Sequence, residues 1–341
     1  FVTVRPLLTL RWSAALSALL GVVIVVAVGI GPVSIAPMTT VAVLGSIVGL
    51  VDPGTLASSD RLIIAEIRLP RVLLAGLVGI ALATAGAVMQ GFFRNPLADP
   101  SIIGVSSGAA VGAVAVIAVG VSLPWGLGLQ AAAFSTAIAT GFAVYLIARR
   151  GGRTPVATLL LAGVAVQAFL GALISFMTLL SGWDMRRVLY WLMGHLGGTD
   201  WGDLTVITAV VPVLVVATYM HAHALNVLTL GEASAQAVGI AVERTKQRLL
   251  ILASVLTAVA VAVTGVIGFV GLIVTHGMRL VVGADHRILL PTSALAGASF
   301  LIAADAIARS AAAELPVGIV TAAVGAPFFL YLLRREGATE L

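Results

Sequence analysis

The 341 residues are 60% hydrophobic and 10% charged, with a mean hydropathy of +1.14, whereas soluble domains carry roughly 25% charge. Nineteen Lys and Arg with 14 Asp and Glu cannot cover a water-soluble globule of this size, and they are bunched between uncharged stretches long enough for ~20-residue helical spans. The +5 charge therefore reads as a topology determinant rather than a nucleic-acid surface; the lack of ~10-residue alternating segments argues against an outer-membrane barrel; and the absence of Cys removes disulfides, thiolate metal sites and cysteine nucleophiles.

An all-α polytopic membrane protein follows, one transmembrane domain over 1–341. The uncharged interval 12–51 is too long for one span and breaks at Gly31-Pro32. It predicts a first helix at about 12–31, too long for a signal-peptide core and so retained. An irregular external segment then runs through Ser58-Ser59-Asp60. The second helix covers about Ile63 to Gln90. Residues 100–148 carry no charge and split at Ser122-Leu123-Pro124-Trp125-Gly126 into helices three and four. Arg149-Arg150-Gly151-Gly152-Arg153 forms a short basic loop, and helix five follows at about 155–180. Residues 181–203 make an external polar segment with room for one short helix. Helix six covers about 204–221, and 222–246 is the largest inward polar segment.

The interval 249–278 is read by charge. Two spans meeting near Gly265 and Gly268 put Arg279, Arg287, Arg334 and Arg335 on the same side as Arg149, Arg150 and Arg153, as the positive-inside rule favours. Helices at about 289–308 and 316–333 complete ten, with both termini inside. Thirteen basic residues then lie inside and six outside, the outer set being Arg61, Arg68, Arg71, Arg186, Arg187 and Arg309.

The chemistry is sparse. The single lysine, Lys246, has no glycine-rich loop before it, so there is no Walker A motif. The span centres lack the ladder of acids or histidines that ion-coupled transporters use, which disfavours a partner-independent secondary transporter. No nucleophile elbow or His-Glu-x-x-His helix supports an enzyme. Asp305 is the main intramembrane acid, and Arg309 at i+4 predicts a structural ion pair. His221 and His223 are two apart and do not share a helix face, so they read as a polar cap. His276 and His286 read as interfacial, and His195, in Gly194-His195-Leu196-Gly197-Gly198, reads as an exposed loop residue within reach of an incoming ligand.

Two inward segments stand out. In Arg94-Asn95-Pro96-Leu97-Ala98-Asp99-Pro100 the prolines stop helix continuation, and Asp99 and Ser101 fall where they can cap helix three. Leu228 to Ile240 predicts a short amphipathic helix ending at Gly239. Its polar character leaves two readings open: lying on the membrane surface, or entering a groove on a cytoplasmic partner.

These stretches carry a resemblance. Arg68-Leu69-Pro70-Arg71, Gly86-Ala87-Val88-Met89-Gln90-Gly91, the Arg94–Pro100 loop and Gly104-Val105-Ser106-Ser107-Gly108-Ala109 closely resemble permease subunits of ABC importers for ferric siderophores, haem and vitamin B12. So do Leu159-Leu160-Leu161-Ala162-Gly163-Val164, Tyr190-Trp191-Leu192-Met193-Gly194, Leu230-Gly231-Glu232, Gly265 to Leu272, Asp285-His286-Arg287 and Glu314-Leu315-Pro316-Val317-Gly318. The resemblance covers about 60–333. It implies the type II ABC importer permease fold, with ten helices per subunit. It also implies a homodimer in a bacterial or archaeal cell (inner) membrane, two cytoplasmic ATP-binding subunits that use ATP-Mg, and an external substrate-binding protein. No cofactor or metal is implied in this chain, and no enzymatic activity of its own.

By the same resemblance, Arg68, Arg71 and Arg309 meet acidic residues of the binding protein. Asn95, Pro96 and Leu97 shape the inner gate, and Leu230, Gly231, Glu232, Ala233 and Gly239 belong to the helix that couples to the ATPase. Gln167, Met177 and His195 are the candidate substrate contacts. The implied cargo is an iron chelate, haem or a ferric siderophore, with a corrinoid as the alternative. Val156-Ala157 and His195 depart from the small hydroxyl and small residues common in relatives.

Overall fold

A computed structural model describes residues 6–120, 128–311 and 314–337, and their secondary structure is helical apart from one isolated β-bridge between Arg150 and Arg153. The uncharged stretches form helices because an apolar segment can satisfy its backbone only internally once water is excluded. In chain order these are α1 (Pro6–Gly29), α2 (Pro37–Ile47), α3 (Ser58–Leu62), α4 (Leu69–Phe93), α5 (Val105–Val119), α6 (Gly128–Ala148) and α7 (Val156–Leu180). There follow α8 (Met185–Leu192), α9 (Trp201–Tyr219), α10 (Ala222–Thr229), α11 (Glu232–Ala237), α12 (Val242–Thr264), α13 (Thr275–Val282), α14 (His286–Ser310) and α15 (Val317–Gly337).

A π-helical stretch, Ile63–Arg68, joins α3 to α4, giving one continuous helix over Ser58–Phe93 of 36 residues, about 54 Å at 1.5 Å per residue. Pro70, the second residue of α4, therefore lies within this continuous helix. The widened turn before it takes up the register that a missing proline N–H disturbs.

Seven helices among the described residues are long and apolar enough to cross a membrane; the expected spans three, eight and ten are occupied by the shorter apolar helices Val105–Val119, Val270–Val282 and Val317–Leu332. The break expected near Gly265 and Gly268 is present. Chain direction changes over 265–269, with Gly265 at φ +74° and Phe269 at φ +68°, before a π-helical stretch, Val270–Val274, leads into α13.

Several expectations are corrected. The segment read as irregular, running through Asp60, contains α2, opened by Pro37 at its first turn, and the start of α3. Helix three starts at Val105: Pro100–Ile103 is a separate 3₁₀ turn capped by Asp99, and Gly104 at φ +80° ends it. The predicted split at 122–126 lies outside the described residues. The amphipathic helix expected over 228–240 is the shorter α11, which starts after Gly231 at φ +120°; α10 precedes it and ends at Thr229. His276 and His286, read as interfacial, are both buried.

Helix α4 is the centre of the bundle. Its apolar window is 83% buried, against 17% for α1 and 22% for each of α7 and α9, so it is hydrophobic all round while they keep one face outward. Glycine lets it approach its neighbours. A Cβ on Gly79 would stand 2.2 Å from the Gly297 carbonyl of α14, and one on Gly86 would stand 2.1 Å from the Gly271 carbonyl. Such small-residue contacts bring helix backbones together where lipid supplies no hydrophobic drive.

Candidate functional site

At the predicted outer end, the arginines expected to dock a partner are built into the fold. Helix α1 ends with carbonyls that have no intrahelical donor. Arg68 donates Nη1 to the carbonyls of Val28 at 2.9 Å and Gly29 at 2.8 Å, and Nη2 to that of Val33. Arg309 donates Nη2 to the Ala27 carbonyl at 3.1 Å. Two cations thus cap one helix C-terminus, where the dipole favours them. Both are buried, at 5% and 4% exposure.

Arg309 also makes the ion pair expected with Asp305, Nε to Oδ2 at 2.9 Å, and Arg71 completes it from α4 with Nε and Nη2 on Oδ1 at 3.0 and 2.9 Å. Asp305 is fully buried, whereas Arg71 keeps some exposure and lies 3.7 Å from the half-exposed Glu314.

His195 is half-buried, which corrects the exposed-loop reading. Its backbone N–H donates to the Thr264 carbonyl at 2.7 Å, and its ring lies 5.1 Å from that of Tyr190. It lines a cavity of about 240 Å³ with Gln130, Arg187 and Tyr190. Burial, then the charge of Arg71, holds its imidazole below the usual histidine range. Gln167 lies deeper in α7 and donates Nε2 to the Ile102 carbonyl at 2.7 Å; Met177 is partly buried against the core. The structure does not join these three into one constellation.

At the predicted inner end, Arg94 leaves α4 in the left-handed region at φ +49°. Asn95 then folds the loop by accepting the Leu97 N–H on Oδ1 at 2.9 Å, an Asx turn of the kind its short side chain favours. Asn95 is exposed, and Pro96 and Leu97 are half-buried. Asp99 accepts the Ser101 N–H at 2.9 Å and its hydroxyl at 2.6 Å.

The α10–α11 segment is held at both ends. Asn226 of α10 donates to Asp285 at 2.6 Å and accepts the His286 backbone N–H at 2.8 Å, fixing α10 to the start of α14. Arg287 donates to His223 Nδ1 at 2.8 Å, and His221 Nδ1 lies 2.9 Å from the Ala217 carbonyl, so each of the two histidines has its own partner. Glu232, in the first turn of α11, pairs with Lys246 at 3.1 Å. Leu230 and Val238, on either side of α11, are exposed at 74% and 68%; Ala233 and Gly239 are exposed too, and Gly239 turns the chain at φ +84°. Sequence reasoning missed Asn226 and Lys246. A lone lysine three residues after Glu243, at the start of an apolar helix, was the available signal for the second.

The FecCD transport family matches residues 18–335. The cobalamin import system permease protein BtuC of Halobacterium salinarum is 50% identical over 97% of each chain. The hemin transport system permease protein HmuU of Yersinia pestis is 45% identical over 80% of this chain and 83% of its own. An ABC transporter described as of metal-chelate type, in an inward-facing conformation, superposes with a TM-score of 0.84 at 33% identity, over 95% of this chain and 99% of that one.

Proposed function

Since the chain belongs to the FecCD transport family, the permease subunits of ABC transporters, we propose that it forms the membrane pathway of an ATP-driven importer for a large metal chelate, a corrinoid first. The observation that carries the ABC reading is the α10–α11 segment. It is clamped to α14 and α12, yet it presents Leu230 and Val238 to solvent. Exposed apolar side chains on a rigidly held inward helix suit a partner groove better than passive contact with headgroups.

In this reading the chain crosses the membrane ten times, the short helices included, with both termini in the cytoplasm. It pairs as a homodimer with two ATP-binding subunits inside and receives cargo from an external binding protein. Arg71, the arginine of the outer network with residual exposure, meets that protein's acidic residues, and Arg68 and Arg309 shape the surface around it. Asn95, Pro96 and Leu97 close the inner end of the pathway.

The corrinoid reading is supported by the 50% identity to a cobalamin permease across nearly the whole of both chains. Haem is the second reading, favoured by the likeness to a hemin permease and by His195, which lines the outer cavity with its imidazole held below the usual histidine range by burial. Titrating the cognate binding protein with cyanocobalamin, hemin and ferric siderophores, then measuring its stimulation of the assembled ATPase, tests this. Stimulation by the cobalamin-loaded protein alone is expected; stimulation by the hemin-loaded protein alone makes haem the cargo.

A further inference from the structure

Lys246 is the only lysine in the chain, and it is buried at 5% exposure near the predicted inner end. A lysine is buried there at a large desolvation cost unless it is paired and hydrogen-bonded. Its ammonium group reaches three segments at once: the Thr154 carbonyl at 2.5 Å, Glu232 of α11 at 3.1 Å and Glu243 of α12 at 3.3 Å. Glu243 closes the ring by accepting the Thr154 N–H at 3.1 Å. Thr154 is thus gripped through both backbone groups, immediately after the tight turn that Gly151 and Gly152 make at φ +56° and +79° and immediately before α7.

Farther along α7, Gly163 and Gln167 hold the 3₁₀ turn that follows the loop assigned to the inner gate. Gly163 lets the chain at Ile102 approach so closely that a Cβ would stand 2.3 Å from the Ile102 carbonyl, and Gln167 donates to the same oxygen at 2.7 Å. Ile102 lies in the 3₁₀ turn that Asp99 caps, five residues beyond Leu97.

We propose that Lys246 is a positioning residue that links α11 to the entry of α7, so that displacement of the coupling segment reaches the gate loop through α7 and its hold on Ile102. The proposal deepens the importer reading and rests on it. The clasp on the other side, Asn226 to Asp285 and His286, leads to α14 and does not touch α7, so the two clasps address different helices.

The linkage is tested first in the permease alone, by amide hydrogen exchange of Lys246→Met, with Lys246→Arg as the rescue and Glu243→Gln as a milder second variant. Exchange at 98–104, remote from the substituted side chain, should rise about 2- to 30-fold in Lys246→Met, the span of coupling changes seen along such networks, and return towards wild type in Lys246→Arg. Unchanged exchange at 98–104 in both Lys246→Met and Glu243→Gln overturns the proposal. In the complex with ATPase subunits, nucleotide should alter exchange of both 230–239 and 98–104 in wild type, but only of 230–239 in Lys246→Met. A response at 98–104 that survives in Lys246→Met also overturns it. Failure of the importer reading shows separately, as wild-type permease that retains no ATPase subunit, while the exchange comparison in the permease alone still decides the linkage.

Discussion

Replacing Asp305 with Asn keeps the side-chain shape and removes one charge from the most densely charged buried point of the bundle. The carboxylate is fully buried and neutralises two guanidinium groups, Arg71 at 2.9 Å and Arg309 at 2.9 Å, with side-chain exposures of 12% and 4%. Breaking a buried pair costs about 3–5 kcal/mol, because a charge is left without a partner. Here the figure falls at the lower end: Glu314 lies 3.7 Å from Arg71 and can take over part of its compensation, while Arg309 keeps its hydrogen bond to the Ala27 carbonyl. About 3 kcal/mol is a factor of ~100 in the unfolding equilibrium. Detergent-induced unfolding followed by tryptophan fluorescence measures it. A triple variant, Asp305→Leu with Arg71→Met and Arg309→Leu, should recover most of the loss, since apolar replacement of a whole buried ionic cluster is often neutral or stabilising. An Asp305→Asn protein within about 0.5 kcal/mol of wild type, the range of ordinary surface substitutions, would refute the argument that this network carries stability.

Gly79→Val should cost at least about 1–3 kcal/mol and lower the folded yield in size-exclusion chromatography, because its Cβ would meet the Gly297 carbonyl at 2.2 Å and neither backbone can retreat without separating α4 from α14. The pH dependence of stability should carry a His195 component: with the folded pKa held below 6.5, its contribution is complete above about pH 6.5 and is lost as pH falls towards the folded value. Wild type should therefore lose more stability than His195→Gln between pH 7 and pH 5 in thermal scans. Cysteines introduced at Leu97 of both subunits should crosslink in some nucleotide states and not in others, read on gels against a background without native thiols.

The helical spans were legible because most lipid-facing and buried positions are uncharged, so that long uncharged runs within α1, α4, α7, α12 and α14 stand out. The break at Gly265 was legible through the charges that flank it. Helix α2 was not, since Pro37 reads equally as a loop residue and as a helix start. Asp305 and Arg309 are four residues apart on one helix face and announce themselves; Arg71, 234 residues from Asp305, could join them only through the fold. The capping of α1 by Arg68 and Arg309 was hidden because the acceptors there are backbone carbonyls, which have no sequence signature. Lys246 shows the limit most plainly. Glu243 three residues before it was visible, but Thr154 and Glu232 become its partners only when α7, α11 and α12 come together.

Transport itself tests the central claim most directly. Proteoliposomes are prepared with this permease and its cognate ATPase subunits, and loaded binding protein is supplied on the face opposite the ATPase. They should accumulate radiolabelled cyanocobalamin above its external concentration when ATP is hydrolysed, and should stop when a non-hydrolysable analogue replaces it. Accumulation by the permease alone, driven by a proton or sodium gradient and indifferent to ATP and to the partner subunits, would contradict the account.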